Sequence, residues 1–119
     1  NPEDAGYTKS AGNSLSAIES CRGFALLYSG NKEEALKWVE DLQRDFRDTD
    51  GYLSFMAACL YANAGETDKA FSSLDKALQL GYGNLYKITE ADYGRVSLAP
   101  IRNDSRFAGL LARYKHLFE

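Results

Sequence analysis

Apolar residues along this chain recur mainly at three- and four-residue steps, which is the period of an amphipathic helix. No stretch alternates apolar and polar residues long enough to predict a strand. The pattern therefore predicts an all-α fold. The predicted helices cover residues 14–29, 32–46, 52–64, 67–80 and 104–117, with a short helix over 84–91.

The third of these helices differs from the others because it is apolar on nearly every side. It lies in the longest uncharged stretch of the chain, residues 51–65. A helix of this kind must be covered on more than one face, which predicts that it forms the centre of the molecule. The stretch is too short to span a bilayer and contains Ser54 and Asn63, so we expect a core helix and no membrane insertion.

Start and stop signals flank these segments. Gly30, Gly65 and Gly81 each follow an apolar run, as glycine does at helix C-termini. Asn31 and Glu34 have the spacing of a capping box, which predicts side-chain capping of the second helix. Asp48 or Asp50 is expected to cap the third helix, and Asp104 the last one.

The glycine signals belong to an internal repeat. Gly30 followed by Ala35 recurs as Gly65 followed by Ala70, thirty-five residues later. That offset is typical of helix-turn-helix repeats, which stack on one another because a single unit cannot bury its apolar face alone.

The repeated residues resemble the tetratricopeptide repeat family over residues 16–82, although the family's early Trp and closing Pro are absent. The resemblance implies an α-α superhelix of two antiparallel hairpins, with repeats at about 16–49 and 51–84, and a non-catalytic role in binding a protein or peptide. The residues that carry it are Gly23, Gly30, Ala35 and Val39 in the first unit, and Ala58, Tyr61, Gly65, Ala70, Leu74 and Ala77 in the second.

The stretch LAPIRNDSRFAGLLARY is similar to the closing segment of many bacterial arrays of this family. Ser105 stands where that pattern has Pro. The resemblance implies that residues 85–119 cap the last hairpin, and that the chain is the end of a bacterial-type array. The matching residues are Leu98, Ile101, Arg102, Asp104, Arg106 and Phe107.

Residues 1–13 are polar, with no periodic apolar pattern, and are predicted to be a tail or linker before a helical domain over 14–119. The sequence begins with Asn1 rather than Met, so we expect a processed chain or a piece of a longer protein. The net charge of −3 and the spread of the cations argue against a nucleic-acid partner.

Residues that could carry chemistry are few. Cys21 and Cys59 lie in apolar helical stretches, outside any metal-ligand spacing, and are expected to act as small apolar residues. His116 is the single histidine, and it is predicted to lie in the last turn of the final helix. Asp48 and Asp50 have part of a calcium-loop spacing, but Phe46 and Ala57 occupy other ligand positions. We therefore expect no metal, no cofactor and no enzymatic activity.

The family resemblance implies that the first helix of each repeat lines a concave face, and aromatic residues dominate this candidate peptide-binding groove. Such a groove suits an apolar peptide or helix. The alternative, which we favour over an open groove, is a core covered by the N-terminal tail, a missing neighbour domain or a second copy. Two further interpretations are a docking domain of a larger enzyme and a site for a small apolar ligand. The candidate residues are Ser20, Phe24, Tyr28, Tyr52, Phe55, Cys59 and Asn63.

Overall fold

The computed structural model describes residues 9–10, 17–90 and 97–118. These residues contain six α-helices and confirm the predicted all-α fold. Most of the predicted tail lies outside the described residues. The helices are α1 (Ala17–Tyr28), α2 (Lys32–Asp45), α3 (Tyr52–Asn63), α4 (Thr67–Gln79), α5 (Leu85–Thr89) and α6 (Ser105–Arg113), with 3₁₀ turns at Ala99–Ile101 and Lys115–Phe118.

A minimal strand pairing accompanies the helices. Lys9–Ser10 (β1) runs parallel to Phe46–Arg47 (β2), with Lys9 opposite Phe46. Strands of two residues have no alternation of apolar and polar positions, so no sequence pattern indicates them.

The apolar helix α3 is the centre of the molecule, as its sequence predicts. Every residue from Leu53 to Ala62 is buried. The helix packs against α4, α2, α1 and the Ala99–Ile101 turn. Covering from several directions is what a helix without a polar face requires.

Glycines reverse the chain after three of the helices. Gly30, Gly65 and Gly81 have φ values of 92°, 80° and 95°, the left-handed conformation that glycine adopts without steric cost. After each one, the next residue donates its N–H to a carbonyl five positions back, which defines a Schellman motif. These bonds join Asn31 to Leu26, Glu66 to Tyr61, and Tyr82 to Ala77.

The aspartates before α3 accept hydrogen bonds from backbone N–H groups at its start, although the N-cap residue itself is Gly51. Asp48 accepts from the N–H of Gly51 at 3.0 Å and from the N–H of Ser54 at 2.8 Å. The Ser54 hydroxyl donates to the same carboxylate. Asp50 accepts from the Tyr52 N–H at 3.0 Å.

The predicted capping box at Asn31 is wrong. The Asn31 side chain makes no capping bond to α2, and its amide donates instead to the Ser29 hydroxyl. Asn31 also closes the Schellman motif of α1 and has ψ of 58°, whereas a capping residue normally has extended ψ. One residue cannot adopt both geometries.

We expect Asp48→Ala to lower the free energy of unfolding by about 1–2 kcal/mol, because the N-terminus of α3 and the buried Ser54 hydroxyl lose their acceptor. Asp50→Ala removes one hydrogen bond at an exposed position and should lower the free energy of unfolding by less. Urea denaturation of both variants measures the difference, and equal stabilities would contradict the role assigned to Asp48.

Small residues lie where the helices approach most closely. Ala35, Ala58 and Ala70 have no exposed surface. Gly23 faces the ring of Trp38, where an added Cβ would lie 2.3 Å from a ring carbon. The space between helices is therefore filled at each of these positions.

We expect Ala70→Leu to destabilise the fold by about 1–3 kcal/mol, because three extra carbons enter a filled core. The matched control is Ala108→Leu on α6, where the side chain is exposed. Thermal and urea denaturation measure the stability of both variants. An Ala70→Leu variant as stable as the control would show that α4 does not pack as described.

The segment after α4 folds back over the second hairpin. Arg102 donates to the Ile88 carbonyl at 3.0 Å, at the end of α5. On α6, the Arg106 guanidinium lies 4.5 Å from the Phe71 ring centroid and 2.8 Å from Asp68 of α4. Asp104 caps α6 as predicted.

The final helix is shorter than predicted. It ends at Arg113, and the chain tightens into the 3₁₀ turn Lys115–Phe118. Lys115 and His116 consequently lie in that turn and not in the last turn of α6.

Candidate functional site

The chain that follows α4 covers part of the candidate groove on α3. The Phe55 ring stacks on Tyr82, with centroids 4.5 Å apart and an angle of 18° between the planes. The Asn63 amide donates to the Ser97 carbonyl at 2.8 Å and to the Cys59 carbonyl at the same distance. Cys59 is 1% exposed. This face of α3 is therefore part of the core in the folded chain.

The other candidates divide between core and surface. Phe24 is buried, whereas Tyr28 and Tyr52 are 39% and 37% exposed. Tyr28 is the last residue of α1 and Tyr52 the first of α3. The two tyrosines therefore occupy different helix ends, the C-terminal end of α1 and the N-terminal end of α3. Ser20 lies within α1, and its side chain is outside what the structure describes.

Burial alters the ionisation of Cys59. Burial raises the pKa of its thiol to about 12, and the positive charges of Arg102 and Lys87 offset only part of that effect. The thiolate is the reactive form of cysteine, so Cys59 is an inert apolar residue at neutral pH. The unfolded thiol ionises near pH 9. The contribution of Cys59 to stability is thus complete below pH 9 and declines as the pH rises toward 12.

In a Cys21→Ser background, we expect Cys59 to react with a disulfide reagent such as DTNB at pH 8 only through unfolding. A pKa shift of three units alone lowers the thiolate fraction about a thousandfold. The rate in native buffer, compared with the rate in 6 M guanidinium, measures this protection. Rapid labelling in native buffer would contradict the burial of Cys59.

The largest exposed apolar feature lies elsewhere. Five large apolar side chains in the described residues are more than a third exposed, and three of them fall within residues 80–86. We call Leu80, Leu85 and Tyr86 the apolar cluster; their exposed fractions are 37%, 43% and 58%. They flank the turn that contains Gly81 and Gly83, between α4 and α5.

The hydrophobic pattern does not predict the apolar cluster, because the cluster spans the end of one helix and the start of the next and so shares no single helical period. The available signal was the presence of three large apolar residues on either side of a turn that contains two glycines. Turns normally lie at the surface, so apolar residues there have no core to enter.

A cleft of about 400 Å³ lies between α4 and α6. Phe71 and Leu110 form its apolar wall, and Arg106 and Arg113 lie at its rim. Both guanidinium groups face acids, since Arg106 pairs with Asp68 at 2.8 Å and Arg113 lies 3.9 Å from Asp75. The cleft therefore offers a ligand little uncompensated charge.

Within residues 9–10, 17–90 and 97–118, no group of three or more His, Cys, Asp or Glu side chains is arranged to hold a metal ion. Asp48 and Asp50 are engaged in backbone hydrogen bonds at the start of α3. His116 is exposed, with its ring 6.3 Å from that of Tyr114. None of the described helices is both long and apolar enough to cross a membrane.

Comparisons with family models, curated proteins and solved structures find no match to this chain. The resemblance to tetratricopeptide repeats consequently depends on the sequence spacing alone.

Proposed function

We propose that this chain is a non-catalytic helical-repeat module of the tetratricopeptide type that binds a protein partner. The repeat assignment is supported by local geometry that recurs thirty-five residues apart. The Schellman motifs at Gly30 and Gly65 have φ values of 92° and 80°. The residues after them, Asn31 and Glu66, have φ and ψ of −105° and 58°, and −92° and 70°.

In this proposal, residues 85–118 are the terminal cap of the array. A solenoid needs a cap because its open end would expose apolar surface. The contacts of Ser97 with Asn63 and of Arg106 with Phe71 support this role, since both lie against the second hairpin. The concave face implied by the resemblance is consequently closed at α3.

The observation that carries the binding function is the apolar cluster. Large apolar side chains at a protein–protein contact supply most of its binding energy when a partner covers them. Tyr86 is 58% exposed, the highest value among the large apolar residues described. The cluster therefore replaces the candidate groove as the proposed contact surface.

Selection from a display library of random 16-residue peptides tests this function. We expect the parent chain to enrich specific peptides. The double variant Leu85→Ala with Tyr86→Ala should weaken the binding of these peptides about 30-fold or more, since a hot-spot truncation costs about 2 kcal/mol. The variant should remain folded because both side chains are exposed, and circular dichroism verifies this.

Tyr28→Ala is the matched control, because Tyr28 is similarly exposed but lies on α1. Binding that survives loss of the apolar cluster and disappears in Tyr28→Ala would move the contact surface to α1. Failure to enrich any peptide would contradict the proposed function.

A further inference from the structure

We infer that the segment bound by the apolar cluster is acidic as well as apolar, such as an amphipathic helix or peptide carrying Asp and Glu beside large apolar residues. The inference rests on the proposed function and specifies the chemistry of its partner. It follows from the distribution of charge around the cluster.

Two segments near the apolar cluster carry cations and no acidic residue. Residues 76–89 and 105–118 have neither Asp nor Glu, although the whole chain has 17 of them and a net charge of −3. Helix dipoles favour cations near helix C-termini, which accounts for Lys76 and Arg113, but they do not require acids to be absent from both segments. The cations of the two segments are Lys76, Lys87, Arg106, Arg113 and Lys115.

The fold brings these two segments together at the apolar cluster. A Cβ added to Gly83, within the turn, would lie 3.3 Å from the Leu117 carbonyl oxygen. The Tyr114 hydroxyl donates to Asp75 at 2.6 Å, at the end of α4 nearest the turn. The cluster is therefore bordered by α4 on one side and by the Lys115–Phe118 turn on the other.

Several cations near the apolar cluster have no acidic partner. Among the described residues, Lys76, Lys87 and Lys115 form no ion pair. Elsewhere in the described residues the cations are mixed: Lys32 lies 3.6 Å from Glu66 and Lys69 lies 3.7 Å from Glu40, whereas Lys37 on α2 forms no ion pair. Exposed cations around an apolar contact attract an acidic partner and orient it.

The same features favour a protein over a membrane or nucleic acid. The cluster lies in a turn and on α5, which has five residues and is too short to lie in a bilayer interface as an amphipathic helix. The negative charge of the rest of the chain repels the phosphate backbone of a nucleic acid.

The peptides enriched by the display experiment provide the first test. We expect Asp and Glu to be over-represented in them relative to the unselected library. Enriched peptides that are neutral or basic, and that still require Leu85 and Tyr86, would overturn this inference and leave the proposed function intact. An absence of enriched peptides would instead contradict both.

The second test measures affinity with a fluorescein-labelled acidic 16-residue peptide and the same peptide with Asn and Gln replacing Asp and Glu. We expect Lys76→Glu with Lys115→Glu to weaken the acidic peptide about tenfold or more, which is about 1.4 kcal/mol. The affinity for the peptide with Asn and Gln should change little. Raising the salt concentration from 50 to 500 mM should weaken only the acidic peptide.

Arg22→Glu with Lys37→Glu is the matched control, because it changes the net charge equally at exposed positions on α1 and α2. An equal effect of the two double variants, or tighter binding to anionic lipid vesicles than to the acidic peptide, would overturn the inference.

Discussion

The need to cover α3 governs the rest of this structure. A helix with ten consecutive buried residues and no polar face cannot be satisfied by one neighbouring helix. It requires α4 on one side, α1 and α2 on another, and the chain after α4 on what remains. The glycine turns and the Asp48 cap then fix where α3 begins and ends. Each hairpin is consequently stable only as part of the whole.

This requirement also determines which surfaces are available for binding. The last covering layer comes from an irregular part of the chain, with Tyr82 stacked on Phe55 and Ser97 bonded to Asn63. A short irregular segment covers its own apolar residues less completely than a long amphipathic helix does. The apolar cluster is the part of that layer that faces outward. Covering the aromatic side of α3 and exposing the apolar cluster are thus two results of the same packing arrangement.

Charge is distributed independently of these packing constraints, because exposed side chains can vary with little effect on stability. The ion pairs near Arg106 join α6 to α4, whereas the lysines around the apolar cluster have no structural partner in the described residues. Charges that stabilise nothing within the chain remain free to interact with another molecule. Their position beside exposed apolar residues gives this end of the molecule its particular chemistry.

The sequence alone determined the helices, their glycine stops, the caps at Asp48 and Asp104, and the central place of α3. These features depend on interactions within about four residues, which local spacing records. The fate of the candidate site was decided only by tertiary structure. Asn63 and Ser97 are 34 residues apart, and the chain between α4 and Ser97 has no sustained period from which its return could be predicted. Aromatic residues at helical spacing predict an apolar face, but whether that face is core or surface depends on which distant segment reaches it.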